Sequence, residues 1–464
     1  MSQSSRPLLS GEARRFLEKT FPRDAVTMAP EEMYVYGADA SRRHALPAAV
    51  VRPSDVGQVQ ALLAFAQTEK IPILARGRGT NTVGDCVPVA GGIVVSTARL
   101  NHILEIDPDD FVAVVEPGVV TGDLQKALAP HHLFYAPDPA SVKFSTVGGN
   151  AATCAGGMRA LKYGVTRDHI LGIEAVLPGG ERIVTGGRTH KNVVGLDLTR
   201  LLVGSEGTLG LFTRLTLKLL PLPQATATLA LAYPSVDAAL TAAGDVFRAG
   251  LLPVAMELLG RQAMLAVAKI AAVPWPEAAG AALFLRVDGS PAAVAADVAL
   301  LAAATAPAGP VWSQRATEPE AEETLWELRR LLNPASFQAA PDKISDDVTV
   351  PRGKLRETAA RVAAIGEECG VRILLFGHIG DGNLHINIMH DAADPEERAR
   401  ALTARERILM VCLELRGTLS GEHGVGLSKL PFLDRQLGPV EREIMRRVKA
   451  AFDPSGIMNP QKAY

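Results

Sequence analysis

Cysteine is scarce in this chain: of 464 residues four are Cys (Cys86, Cys154, Cys369 and Cys412). They are widely spaced and form no Cys-x-x-Cys pair, which argues against a disulfide framework and against a thiolate zinc site. Reduced thiols in a cytoplasm fit that usage. Net charge is nearly absent too, because 48 Lys plus Arg face 50 Asp plus Glu and leave −2. Such a balance offers no electrostatic reason to expect nucleic acid or an anionic membrane as partner. No apolar run approaches the length that spans a bilayer, and the N-terminal MSQSSRPLLSGEARRF lacks the apolar core of a signal peptide. The expected location is cytoplasmic, with any membrane association made through a partner.

What is present is the balance of a globular protein, 47% hydrophobic and 21% charged, in a chain long enough for two or three domains. The first half alternates strand-like stretches (Pro47 to Arg52, Ile71 to Ala75, Gly92 to Ser96, Ile103 to Ile106, Val112 to Glu116) with a helical Ser54 to Lys70. Glycine is dense from Pro137 to Gly210. After Pro221-Leu222-Pro223 the composition turns alanine-rich, with helical patterns at Val236 to Ala249, Gln262 to Ala271 and Pro291 to Ala304 and strand patterns at Ala282 to Val287 and Arg372 to Phe376. A domain boundary is placed there, and the second region is expected to pack helices on an antiparallel sheet. The fold class is α+β.

Arg76-Gly77-Arg78-Gly79-Thr80-Asn81-Thr82 follows an apolar strand and joins permissive glycines to cations and hydroxyls, a composition suited to wrapping a diphosphate. It does not open a helix in the GxGxxG manner, which disfavours a nicotinamide-binding unit. A plain glycine turn is the competing reading of this loop alone. A second cluster, Pro137-Asp138-Pro139-Ala140-Ser141, then Thr146-Val147-Gly148-Gly149-Asn150 and Gly156-Gly157, suggests one large, elongated ligand.

With these two clusters the chain resembles the FAD-linked oxidases of the vanillyl-alcohol oxidase and p-cresol methylhydroxylase superfamily, over most of its length. The resemblance implies a two-part FAD-binding domain over 1–222, an α+β cap domain with an antiparallel sheet over 223–425, and a C-terminal segment, 426–464, that returns to the FAD domain. It implies that Arg76, Gly77, Arg78, Gly79, Thr80, Asn81 and Thr82 hold the pyrophosphate. Pro137, Asp138, Ser141, Thr146, Gly148, Gly149, Asn150, Gly156 and Gly157 then line the flavin, backbone near Val184 meets the adenine, and Asn459 also touches FAD. The first loop has no His where some relatives attach flavin covalently, and Cys154 stands where some have Asn. Noncovalent FAD is the expectation.

In Arg372 to Met389 two alternating apolar stretches flank Gly380-Asp381-Gly382-Asn383, and an Asp-Gly centre signals a type I′ hairpin. With Asp381 and Gly382 as the loop residues, His378 pairs with His385, close enough for two imidazoles to share a cation. Asn387 lies on the same face; His390 has the opposite parity and is excluded. A metal-free histidine pair is the bland alternative, weakened by Ser420-Gly421-Glu422-His423-Gly424, which sets an acid beside an imidazole in a glycine-rich loop. His378, His385 and Glu422 as ligands leave a position open, suiting Zn²⁺, with Mn²⁺ or Fe²⁺ also compatible. Neighbouring loop residues point apart, so Glu422 is expected on metal and His423 toward substrate.

GHIGDGNLHIN and SGEHGVG narrow the resemblance to the D-2-hydroxy-acid dehydrogenase branch, with glycolate oxidase catalytic subunits, D-lactate dehydrogenases and D-2-hydroxyglutarate dehydrogenases. It implies that Arg329 and Lys343 bind the substrate carboxylate, a fork and a point charge; on their own, both residues pass for solvated surface groups. The expected reaction takes a small D-2-hydroxy acid to the 2-oxo acid, with metal-assisted activation of the hydroxyl, His423 as base and hydride transfer to flavin N5. The acid and the electron acceptor (a quinone, cytochrome, flavoprotein or iron-sulfur subunit) stay open, as does assembly as a homodimer or complex subunit. Two other readings are a noncatalytic FAD-binding or electron-relay subunit, and a flavin enzyme of different chemistry such as an aryl-alcohol oxidase or an ether-lipid synthase. Neither explains the histidine and Glu-His motifs.

Overall fold

A computed structural model describes residues 9–463. The chain divides into two compact units, Met1–Gly156 with Gly164–Leu222 and Glu422–Tyr464, and Gly157–Tyr163 with Pro223–Gly421. It therefore changes unit after Gly421 and not after Val425. Seven residues from the predicted FAD-binding part, Gly157–Tyr163, also belong to the second unit. Their side chains explain the exchange: the Tyr163 hydroxyl donates to Asp288 Oδ2 at 2.7 Å, Lys162 pairs with the same carboxylate, and Leu161 fills the space beside Gly380.

In the first unit, β1 (Val26–Thr27), β2 (Ala49–Val51), β3 (Ile73–Arg76) and β4 (Ile93–Ser96) form a sheet in the order β1-β2-β4-β3, with β2, β4 and β3 parallel. A parallel pair needs a crossover, and helix Val56–Glu69 supplies it before β3. Asp55 caps that helix by accepting from Gln58 N at 2.9 Å, and Lys70, at φ 53°, ends it in the left-handed region. Val59, Leu62, Leu63 and Ala66 repeat at helical spacing and meet Ile73, Ile93 and Val95 in one core. The loop that follows β3 thus leaves the carboxyl end of a parallel strand, where open α/β sheets bind ligands.

The same unit holds β5 (Ile103–Asp107), β6 (Val112–Val115), β7 (Leu133–Phe134), β8 (Ile170–Val176), β9 (Arg182–Gly186), β10 (Leu211–Lys218) and β11 (Leu220–Pro221). Five of them make an antiparallel sheet in the order β5-β6-β10-β8-β9, and β11 pairs with β7.

The second unit is built on seven antiparallel strands, β12 (Ala225–Tyr233), β13 (Ala255–Gly260), β14 (Ala281–Gly289), β15 (Trp312–Ala316), β16 (Asp342–Thr349), β17 (Arg372–His378) and β18 (Asn383–His390). Their order is β15-β12-β14-β13-β17-β18-β16. Alternation sends Ala230, Ala232, Leu259, Phe284, Leu374 and Met389 to one face, where they pack with Met264, Leu325, Trp326 and Leu332 from helices Arg261–Ala268, Pro319–Arg330 and Leu332–Ser336. Helices Val236–Arg248, Pro291–Thr305, Leu355–Cys369 and Pro395–Glu414 pack against these strands from the other side. Arg405 of the last fixes that side through a two-bond fork to Asp346, at 2.6 and 2.9 Å.

One expectation fails here. Pro291–Ala308 is, over 18 residues, long and apolar enough by composition to cross a membrane. Alanine raises its hydropathy without bulk; the helix turns Val294, Val298 and Leu301 inward, while 22% of the 18-residue stretch is buried.

Candidate functional site

The hairpin joining β17 to β18 is not the two-residue type expected. Phe376, not His378, stands opposite His385, and residues 379–382 form the connection. A type I′ turn needs positive φ at both central residues, and here Gly382 has it (91°) while Asp381 does not. Two stacked turns replace it, with Asp381 N donating to His378 O and Gly382 N to Ile379 O, while Gly380 N reaches Met256 O on β13. The shift is two positions, so parity survives. His378 and His385 still share a face, their rings 4.9 Å apart and nearly perpendicular at 88°. His390 has the opposite parity and sits back to back with that face, its Nδ1 3.4 Å from the Ile388 carbonyl.

Strand β13 contributes a residue that the sequence reading missed. Glu257 pairs in register with His378, is 0% exposed, and uses both carboxylate oxygens: Oε1 lies 2.6 Å from His378 Nδ1 and Oε2 accepts from Arg329 Nε at 2.8 Å. Burial alone would raise the pKa of Glu257, but the neighbouring charges of His378 and Arg329 outweigh it and hold the carboxyl below its ordinary value. The carboxylate is therefore ionised and accepts a hydrogen bond from His378 Nδ1, which orients the imidazole. The signal was a lone acid in the apolar strand Ala255–Gly260.

Arg329 is buried, its guanidinium 5.0 Å from the centre of the Phe376 ring, so it is not a surface residue of its helix. On the far side of the pair, β16 matches Asp347 to His385, Ser345 to Asn387 and Lys343 to Met389, placing all six on the same face. Ser345 Oγ donates to Asn387 Oδ1 at 2.7 Å, and Lys343 Nζ donates to Asn333 Oδ1 at 2.6 Å and Ser336 Oγ at 3.1 Å. Asp347 accepts from Gly421 N at 2.9 Å, which fixes the last residue of the second unit beside His385 in the ladder. Glu422 follows it by one peptide bond.

The first unit gathers the glycine loops. A Cβ on Gly77 would lie 2.5 Å from Thr146 Oγ1, so the loop after β3 rests on the Thr146–Asn150 turn only because Gly77 has none. Thr146 caps helix Val147–Thr153 by accepting from Gly149 N, Asn150 Nδ2 donates to Thr121 Oγ1 at 2.8 Å, and Gly148 is pressed against Pro117. Asn81 binds Val83 N through Oδ1 and donates from Nδ2 to His423 O at 2.9 Å, joining the first loop to the Glu-His loop. Arg76 turns inward instead, toward the carbonyls of Cys86 and Val35, and holds the loop's base; Arg78, Gly79 and Thr80 complete the turn. Pro137 O is held by Gln125, Ser141 O receives Phe144 N and Ser145 N, and Gly156 lies under Glu422. Gly157 opens the segment assigned to the second unit, beyond Asp138 and its loop. Val184, 69% exposed on β9, lines a separate cavity of about 810 Å³ with Arg167, Thr185 and Thr199.

Glu422 and His423 do not diverge as expected: His423 Nε2 lies 3.7 Å from Glu422 Oε1. Beneath them, Glu206 accepts from Val425 N at 2.7 Å and Gly426 N at 2.9 Å, and Asp85 is buried beside it. Burial first, then the adjacent Glu206 charge, pushes the Asp85 carboxyl far above its usual range, so it keeps its proton. Lys462 donates to the Asp85 and Val87 carbonyls and to Asn459 Oδ1, and burial lowers its pKa to about 8. Asn459 in turn donates to Asp85 O and Glu206 O.

These loops suit a phosphate-bearing cofactor on chemical grounds. The buried hydroxyls of Thr82, Ser145 and Ser205 have no partner among the described residues, and glycine keeps the backbone open beside them. Comparison with known proteins agrees. Residues 47–186 match the family described as FAD binding domain, and residues 222–463 match FAD linked oxidases, C-terminal domain. The chain is 39% identical over 431 residues to glycolate oxidase subunit GlcD of Bacillus subtilis, covering 93% of this chain and 92% of that one. It is 34% identical over 441 residues to D-lactate dehydrogenase of Anaerostipes hadrus, covering 93% and 91%. Among solved structures, p-cresol methylhydroxylase superposes with a TM-score of 0.82 over 98% of this chain and 97% of that one, at 18% identity, which shows the shared fold. Loops shaped for FAD in one unit and a helix-covered antiparallel sheet in the other are thus those of the FAD-linked oxidases, the family of FAD-dependent oxidoreductases to which this chain belongs.

Proposed function

We propose that this protein oxidises a small D-2-hydroxy acid, of the size of glycolate or D-lactate, to the 2-oxo acid, with noncovalent FAD and a divalent metal, zinc fitting best. The observation that carries the reading is one sheet face bearing two neighbouring imidazoles and an ammonium, His378, His385 and Lys343, with the buried guanidinium of Arg329 brought to it by a helix. The names of the relatives, glycolate oxidase subunit and D-lactate dehydrogenase, support the substrate class.

FAD, when bound, supplies the two-electron acceptor, and the metal, when bound, supplies a Lewis acid. The loops around Gly77, Thr82, Ser145 and Gly148 hold the first; His378, His385 and Glu422 hold the second, a set of two imidazoles and a carboxylate that suits zinc. Arg329 presents its Nη edge to the substrate carboxylate, and Lys343 adds a point charge, with Asn387 beside them. His423 takes the proton from the substrate hydroxyl onto its imidazole, and the Glu422 carboxylate 3.7 Å away stabilises the cation that results. Burial raises the pKa of Cys154, which keeps it a thiol and argues for noncovalent flavin. A GlcD-type subunit name further supports an electron-accepting partner in a complex.

Anaerobic mixing with a panel of D- and L-2-hydroxy acids tests this reading. Flavin absorbance bleaches with the D-acids or glycolate, stops bleaching after chelation, and recovers with zinc. A yellow protein that bleaches equally well after complete metal removal overturns the metal assignment, and one that ignores every 2-hydroxy acid overturns the substrate class.

A further inference from the structure

Glu257 is the least expected charge in the second unit, because an anion at 0% exposure is tolerated only when every lone pair that matters is engaged. Its two oxygens serve two different groups, His378 Nδ1 at 2.6 Å and Arg329 Nε at 2.8 Å. We infer that Glu257 is a positioning residue that couples the metal ligand to the carboxylate-binding arginine, so that one buried carboxylate sets both the metal affinity and the affinity for the acid. The inference rests on the reading above for what His378 and Arg329 bind.

The geometry leaves each partner little freedom. A carboxylate on Nδ1 fixes the imidazole tautomer and the direction of Nε2, and carboxylate–histidine pairs of this kind raise the basicity of the ligand nitrogen. At Arg329, the Nε bond and the Phe376 ring, its centre 5.0 Å from the guanidinium carbon, restrict how the guanidinium can turn. Register makes the arrangement rigid: Glu257 and His378 are direct partners on β13 and β17, and Arg329 descends on them from helix Pro319–Arg330. Removing the carboxylate therefore disturbs two sites at once, although it touches neither metal nor substrate.

The test uses the flavin-loaded protein and two variants, E257Q and E257D, each assayed for zinc affinity by chelator competition, for KM and kcat with D-lactate or glycolate, whichever bleaches the flavin, and for Tm. Gln matches the shape of Glu but supplies one acceptor oxygen where two are needed. E257Q is expected to weaken zinc about 10- to 100-fold and to raise KM by a similar factor, with flavin content unchanged. E257D keeps the charge on a shorter arm and falls between E257Q and the parent in both measurements. A variant that lowers Tm while holding zinc affinity and KM within about twofold of the parent overturns the inference, as does movement of only one of the two. Should E257Q fail to fold, E257D alone decides by the same criterion. His378→Ala separates the layers: if that variant binds zinc as the parent does, the metal reading itself falls, whereas loss of zinc there with no change in the Glu257 variants overturns only the coupling.

Discussion

The two units solve the problem of placing chemistry in opposite ways. In the second, side chains do the work and strands set their spacing: Glu257, His378, His385, Asn387 and Lys343 stand on one face because of register. In the first, loops expose backbone, and the side chains around them mostly hold those loops in place: Arg76 faces inward, Asn81 ties two turns together, and Glu206 receives two amides. A ladder tolerates an error of two residues without losing its message, since parity is kept. A loop has no such redundancy.

His423 is the exception on the loop side, a chemical side chain carried by backbone turns, and its removal tests the contrast most severely. His423→Ala is expected to lower turnover by about 10²- to 10⁴-fold in single-turnover flavin reduction, with zinc content unchanged. Loss of zinc as well would move His423 from the proton to the metal. On the strand side, His385→Ala should reduce zinc affinity by roughly a hundredfold or more, since supporting residues alone are worth 10- to 100-fold; elemental analysis of dialysed protein reads this directly, and retained zinc breaks the side-chain half of the comparison.

For the backbone half, Gly77→Ala adds a methyl where Thr146 Oγ1 lies 2.5 Å away. An overpacked site costs about 1 to 3 kcal/mol, which is on the order of a tenfold to hundredfold loss of FAD affinity, visible as a lower ratio of flavin to protein absorbance. Unchanged flavin content would mean that the loop yields where rigidity is claimed.

The smallest effect belongs to Asp85. Its folded pKa is raised, so it favours the fold fully below the ordinary carboxylate range and less as pH climbs through the raised value. Asp85→Asn mimics the protonated acid. It should leave Tm unchanged at acid pH and flatten the decline toward alkaline pH by a few degrees, roughly what 1 kcal/mol does in a chain of this size. A parent protein whose Tm profile the Asn variant reproduces at every pH would show that Asp85 is not holding a proton.

Legibility in the sequence followed the same division. The α+β class, the antiparallel sheet, the shared face of the two histidines and the exclusion of His390 were readable because strand periodicity is exact enough to carry parity over several residues. The turn itself was misjudged, since Asp381-Gly382 signals a local preference while Gly380 N bonding to Met256 O is a contact across more than a hundred residues. Glu257 was passed over for the same reason: an acid in an apolar strand is an anomaly in sequence and acquires a purpose only beside His378 and Arg329. The Asp85, Glu206 and Lys462 cluster joins three distant segments, and nothing local to any of them announces the others. Helix Pro291–Thr305 was read as a helix, but its length and alanine-borne hydropathy, enough by composition for a membrane span, were underrated.

Gly377 gives the hairpin a further meaning. At φ 148°, with a Cβ that would meet the Asn383 carbonyl at 2.5 Å, it acts as a dislocation in β17. Up to it β17 is paired on both sides, Phe376 with His385 and with Leu259; beyond it only the pairing with β13 goes on, His378 with Glu257. One imidazole is thereby released from the strand that carries its mate while it stays on the strand that carries its carboxylate. The pair can then adjust to a third party without unravelling the sheet, and an alanine at this single position would press on the backbone of the next strand and pry the two histidines apart.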